Sequence, residues 1–296
     1  MSWLSLSIAS ACLLGFYDFF KKLALRDNAV LPVLFGSVCV SALVWLPLIL
    51  WSALSPDSPP GSFLHVPGLS RHEHLLLFVK AALVGASWLC GYIGIKSLPL
   101  SIATPIASTA PLWTIVFAVF VFHESPTSHQ WLGITVILAA FFAFTLVGMR
   151  EGIRFHRDPA VFFMMAATLL GAASSLYDKF LLQKAAIPPS AVQAWFSIYL
   201  VVVLAPAACW WHRSKQRLPF HWHWAIPAIS FTLLAADRLY FTAIARPDAL
   251  ISMISPVRSS SVMVSFLLGV SIFKEKQVYF KGACIVGIIA GVVMLS

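Results

Sequence analysis

Asp18, Asp178, Asp237 and Arg258 stand inside long apolar stretches of the sequence. A charged side chain at the centre of a bilayer costs about 3 kcal/mol on insertion scales, so such residues mark polar paths, proton relays or counter-ions of a bound group. Two of the acids share a setting: Tyr17-Asp18 closes the first apolar stretch and Tyr177-Asp178 the sixth. Asp18 has Lys22 four residues on, the favourable order for a pair on one helix face. An internal ion pair that fixes the helix end and a role in transport are both open for it. Asp178 has Leu182 at that spacing, and Lys179 points elsewhere, so its partner comes from another helix or from a ligand. A buried carboxylate with a raised pKa would suit coupling to protons.

Asp237 lies eleven residues before Asp248, and Arg258 ten after it. Two antiparallel helices joined at Pro247 would carry both groups about 15 Å from the turn, near mid-membrane. They can form a structural salt bridge, or Arg258 can exchange Asp237 for an anionic group of a substrate. The neighbouring Arg238 faces about 100° away and reaches another helix or water. Trp88, Tyr92 and Tyr240 offer aromatic faces and phenol groups to a cavity, with plain helix packing the competing reading for Trp88. Gly15, Gly85, Gly91, Gly94 and Gly171 permit close helix approach, and Pro105, Pro111 and Pro256 bend helices. Glu124 and Glu275 stand just outside their spans as loop anchors. The pairs His72/His74 and His221/His223 offer too few ligands for a metal. No cofactor or metal is expected, and no nucleophile with a nearby base suggests an enzyme.

These groups need helices to hold them in lipid. Of 296 residues, 60% are apolar and 10% charged, which excludes a water-exposed globule and implies a multi-pass protein with the lipid bilayer as its partner. The net charge of +9 is spread over short clusters between apolar runs, so it points to membrane loops and not to nucleic acid. The five cysteines are scattered singly within those runs and read as small packing residues. The first apolar run has no basic leader and carries Asp18, so it reads as a permanent helix.

A bilayer core about 30 Å thick needs around 20 helical residues. That length divides the chain into ten spans, near 3–25, 31–52, 74–96, 100–122, 129–149, 160–182, 190–211, 224–245, 249–272 and 279–296. Trp3, Trp51, Trp131, Trp210, Trp211, Trp222 and Trp224 fall near span ends, as an interfacial belt requires. Loops after odd-numbered spans hold most of the Lys and Arg, which by charge alone sets those loops in the cytoplasm and both termini outside.

The chain also repeats itself. A shift of 160 lays Tyr17-Asp18 on Tyr177-Asp178, and a shift of 148 lays Tyr92 and Pro99 on Tyr240 and Pro247. A shift of 151 lays Ser101, Pro105, Phe122 and Glu124 on Ser252, Pro256, Phe273 and Glu275. Several matches in one order indicate duplication. The halves are residues 1–149 and 159–296, joined by the charged linker 150–158. Five spans is an odd number, so the second half enters from the opposite side and the repeats are inverted, an architecture suited to alternating access.

The run Leu14-Gly15-Phe16-Tyr17-Asp18-Phe19-Phe20-Lys21-Lys22, the endings Phe-His123-Glu124 and Phe-Lys274-Glu275, and Trp131-Leu132-Gly133 resemble the EamA-type branch of the drug/metabolite transporter superfamily. That resemblance implies an all-α protein of ten transmembrane helices around a central cavity, cytoplasmic termini, and movement of small metabolites, commonly export, across a bacterial-type inner membrane. The paired acids depart from the pattern usual in that family. The expected partners are a small polar or charged molecule and protons as coupling ion. A flippase for a lipid-linked phosphate, gripping its headgroup with Arg258, Lys21 and Lys22, and a non-transporting scaffold are the alternatives.

Overall fold

The computed structural model describes residues 2–54, 64–97, 106–107, 109–146, 159–214, 219–273 and 278–295. Among them the helices are α1 (Trp3–Leu25), α2 (Val30–Leu54), α3 (Arg71–Ser97), α4 (Ala110–Phe122), α5 (Ser128–Leu146), α6 (Pro159–Lys179), α7 (Pro189–Arg213), α8 (Ala225–Ile244), α9 (Ile251–Ser259), α10 (Ser261–Phe273) and α11 (Val278–Val293). Helix α6 runs on into a π turn, Phe180–Lys184. Five of the described helices are long and apolar enough to cross a membrane: α1, α2, α3, α7, and α6 with its π turn. Many side chains facing away from the protein are large and apolar, among them Leu43, Phe120 and Phe162, as expected where the surrounding solvent is lipid. The exposed tryptophans Trp51, Trp131, Trp210, Trp222 and Trp224 lie at or beside helix ends. All five cysteines are free thiols, and Cys12 and Cys209 are exposed instead of packed inside.

Two of the expected spans are not single helices. The span foreseen over 249–272 is α9 and α10 meeting at Ser260, and the one foreseen over 100–122 is helical from Ala110 with a turn at Thr109 before it. Pro111 therefore stands in the first turn of α4, where its missing N–H costs nothing, and does not bend a helix interior. Of the sequence features singled out, Pro99, Ser101, Pro105, Lys274, Glu275 and the linker 150–158 lie outside the described residues, as do the side chains of Tyr92 and Phe273.

The chain forms two compact units, each drawing on both halves of the sequence. The first comprises Met1–Gly85 and Phe180–Pro247. In it α1 packs along α8, and α2 along α7. Hydroxyls crosslink these helices, Ser10 Oγ donating to the Ala236 carbonyl at 2.8 Å and Ser230 Oγ to the Ser37 carbonyl at 2.7 Å; with no water in lipid, such bonds hold helices together. Asn28 joins the α1–α2 corner to the chain ahead of α8, its amide donating to the His221 carbonyl and its oxygen accepting from the N–H of Ala29 and His221. The Gln183 amide closes the end of α8, donating to the carbonyls of Ile244 and Arg246.

The second unit comprises Ala86–Lys179 and Asp248–Ser296. Here α5 packs along α11 and α4 along α9, with α6 against α4 and α9. The α5–α11 contact is made at backbone distance: a Cβ on Gly291 would stand 2.9 Å from the Gly133 carbonyl oxygen and 2.6 Å from Ile137 Cγ1. Of the glycines expected to permit close approach, Gly85 in the first unit and Gly94 in the second do so, a Cβ meeting Val203 at 2.5 Å and Met164 at 3.0 Å respectively, whereas Gly91 and Gly171 leave ordinary room for one. Ser87 Oγ donates to the Ala167 carbonyl at 2.8 Å and ties α3 to α6.

Candidate functional site

In the second unit the site is organised by Glu124. Helix α4 ends at His123, whose left-handed backbone (φ 53°, ψ 36°) turns the chain back on itself. The turn directs the Glu124 side chain to the start of α9, where Leu250 provides no side-chain cap. The carboxylate accepts hydrogen bonds from the N–H of Ile251 (2.8 Å), the N–H of Ser252 (2.9 Å) and Ser252 Oγ (2.5 Å). These backbone donors have no partner within the helix, and the helix dipole makes this end attractive to an anion. Lys179, from the end of α6, completes the arrangement with an ion pair to Glu124, and its ammonium lies 5.4 Å from the Phe122 ring centroid. The Glu124 and Lys179 side chains are 2% and 9% exposed, so the pair is dry. Glu124 is thus an anchor, as its position suggested, but a buried one that pins three helices together. Lys179, read from spacing only as pointing away from Asp178, is its partner.

The helix so pinned carries Arg258 as its next-to-last residue. Immediately beyond, at Ser260, the helix breaks: Ser260 (φ −65°, ψ −6°) donates from its N–H and its hydroxyl to the Val257 carbonyl. Thr109 repeats this geometry before α4, with φ −79° and ψ −7° and with N–H and hydroxyl both donating to the Ile106 carbonyl. Thr109 and Ser260 differ by 151 in number, as do Ile106 and Val257, the same shift that relates Glu124 to Glu275. At both positions the backbone stays in the helical region while the N–H bonds three residues back, a tightened turn of the kind that often marks a hinge.

A model of the EamA-like transporter family matches residues 1–146. The first half of the chain is thus similar to the EamA-like transporter family. Over 71 residues it is 31% identical to the probable 4-amino-4-deoxy-L-arabinose-phosphoundecaprenol flippase subunit ArnE of Salmonella typhimurium, a stretch that is 23% of this chain and 64% of that relative's length. The subunit of the same name from Salmonella newport matches over the same lengths with the same identity. A solved crystal structure superposes with a TM-score of 0.69 at 18% identity, covering 97% of this chain and 96% of the other, a likeness of fold.

The other expected site residues of this EamA-like protein are distributed between the units. In the second, Tyr177 is half-buried and Asp178 is buried in the last turn of α6, next to the π turn, an element often found at functional sites. Trp88 on α3 and Arg258 on α9 are half-buried. In the first unit, Tyr17 packs with Phe20 on a cluster of Ala24, Val33, Ala225, Ile226 and Ile229, and the Lys21 ammonium lies 5.6 Å from the Tyr17 ring centroid. Asp18 follows it, half-buried, on α1. On α8, Asp237 is half-buried, while Tyr240 is enclosed and sits 5.5 Å from Phe241, centroid to centroid. Of the histidines, His74 Nδ1 is 2.9 Å from the Tyr199 hydroxyl and His223 Nδ1 accepts from the Ala225 N–H.

Sequence reasoning passed over Lys80. It stands in α3 within a run of apolar residues, is only 2% exposed, and its ammonium lies 4.6 Å from the Phe196 ring centroid and 4.9 Å from that of Phe241. The signal that could have found it is the same that singled out the acids, an ionisable residue well inside an apolar span.

Proposed function

We propose that the protein is a secondary transporter that exports a small polar or charged metabolite across a bacterial-type cytoplasmic membrane by alternating access. In this reading it has ten spans in two inverted repeats, residues 1–149 and 159–296, with 150–158 as linker. The observation that carries it is the pair of matched helix breaks, at Thr109 and at Ser260 beside Arg258, in a chain whose first half is similar to the EamA-like transporter family. The helix pairing agrees: α1 with α8 and α3 with α6, α2 with α7, α4 with α9, and α5 with α11 are the partners that a twofold-related duplication demands.

Arg258 is the recognition group for an anionic part of the cargo, since a guanidinium matches carboxylate and phosphate in bidentate fashion. Asp178 and Asp18 are the sites of proton coupling. No bond-making step is required of any residue. The test is uptake into liposomes holding the purified protein, with labelled amino acids, nucleosides and sugar phosphates, and with and without a proton gradient. Saturable uptake of one class, lost in a folded Arg258→Gln variant, is expected; no uptake of any class by a well-folded protein refutes the reading.

The second reading is a flippase for a lipid-linked phosphate, favoured by the description of the Salmonella relatives as probable subunits of such a flippase. Arg258 would hold the headgroup phosphate. Movement of an isoprenoid phosphate between leaflets of the same liposomes, without uptake of soluble cargo, would select it.

A further inference from the structure

The two rings that enclose the Lys80 ammonium belong to facing helices of the first unit, Phe196 to α7 and Phe241 to α8. Side chains on a helix lean toward its N-terminus. The Phe241 ring therefore lies over the turn that carries Asp237, four residues earlier on the same face, and the Phe196 ring lies over the turn that carries Gln193. Gln193 in turn donates its amide to the Leu234 carbonyl of α8 at 2.5 Å, which fixes α7 against α8 one turn before Asp237. Because α7 and α8 run antiparallel, the two rings lean toward one level, between Leu234 and Asp237. Their shared occupant, the Lys80 ammonium, is at that level, 2% exposed and well inside the span.

Aromatic faces and a carboxylate are the groups that recognise an alkylammonium in a dry site. We propose that Phe196, Phe241 and Asp237 form an ammonium-binding cage, filled in this conformation by the side chain of Lys80, which takes the primary amine of a cationic or zwitterionic cargo when Lys80 withdraws. Asp237 is then the counter-charge of an ammonium, Lys80 or ligand in turn, and the cage stays neutral throughout. The two rings about the ammonium stand on geometry and Asp237 on its register in α8, while the use of the cage for cargo rests on the transporter reading above.

The test is chemical rescue. Lys80→Ala removes three methylenes and the ammonium, so n-propylammonium is the probe, with n-propanol as the uncharged control. The full chain in detergent should melt lower as Lys80→Ala and recover with saturating n-propylammonium, because a ligand of the native state raises apparent stability. Asp237→Asn added to Lys80→Ala should abolish the recovery. Equal recovery with n-propanol, or recovery that survives Asp237→Asn, overturns the cage. If Lys80→Ala does not fold, Lys80→Met, Asp237→Asn and their combination give the answer: non-additive effects on melting support the pairing, and additive ones overturn it. In liposomes, Phe241→Leu should weaken the apparent affinity for an amine-bearing cargo about tenfold. Unchanged affinity removes the cage from cargo binding and leaves the transporter reading standing, whereas rescue in a protein that moves nothing leaves the cage standing and removes transport.

Discussion

Replacing Glu124 by Gln keeps the shape and one acceptor oxygen but leaves the Lys179 ammonium, 9% exposed, facing a neutral amide. Stranding one member of a buried pair costs about 3–5 kcal/mol. The weakened cap on the N–H groups of Ile251 and Ser252 adds about 1 kcal/mol. Lys179→Met strands the carboxylate instead, yet three hydrogen bonds still reach it, so about 3 kcal/mol is expected. Removing both charges together abolishes the desolvation problem, and the double variant should lose only the cap, about 1–2 kcal/mol. The two single costs sum to about 7–9 kcal/mol, so the coupling is about 5–8 kcal/mol, far above the roughly 0.5 kcal/mol scatter of independent sites. Reversible unfolding of the full chain by SDS in mixed micelles, followed by tryptophan fluorescence, measures all four proteins. Additivity within that scatter would refute the claim that Glu124 and Lys179 act as one unit holding α9. A single variant as stable as the native protein would refute it as well.

Close packing and single hydrogen bonds elsewhere in the fold set further outcomes. Gly291→Ala puts a methyl group 2.6 Å from Ile137 Cγ1 and 2.9 Å from the Gly133 carbonyl oxygen, so α5 and α11 must part, at about 1–3 kcal/mol in the same unfolding assay; Gly171→Ala, with its nearest neighbour at 3.5 Å, should cost under about 1 kcal/mol. Ala186 has φ 52° just past the π turn, where the Ile187 N–H donates to the Leu181 carbonyl, so Ala186→Gly should stabilise the protein by about 0.5–1 kcal/mol. Gln183→Leu leaves the carbonyls of Ile244 and Arg246 without that donor and should lower stability by about 1–3 kcal/mol, with faster amide exchange at the end of α8. Asn28→Ala removes two hydrogen bonds between the α1–α2 corner and the chain before α8 and one inside the corner, and should cost about 2 kcal/mol and quicken proteolysis around His221.

Helix content and most helix limits were legible because lipid supplies no hydrogen-bond partners: a long apolar run has to satisfy its own backbone, and only its length and punctuation matter. The 151-residue shift read from Ser101, Pro105, Phe122 and Glu124 also relates Thr109 to Ser260. Pro105 and Pro256 marked these two spans for bending, but the residues at which they turn were not foreseen, because neither Thr109 nor Ser260 is a glycine or proline. Their signal is a hydroxyl residue at the same register of both halves, able to bond its own backbone and compete with the helix.

The sequence by itself determined that the chain is helical and membrane-borne, and that charged residues lie inside its spans, since each of these depends on local composition and spacing. Only the tertiary structure decided which charge meets which group. Glu124 reaches Lys179, 55 positions away, and Ser252, 128 positions away; Lys80 reaches the rings of Phe196 and Phe241 from a different helix. A buried charge must find a counter-charge or a polarisable face, and in a bundle those come from whichever helix packs alongside, a relation that no spacing along the chain encodes.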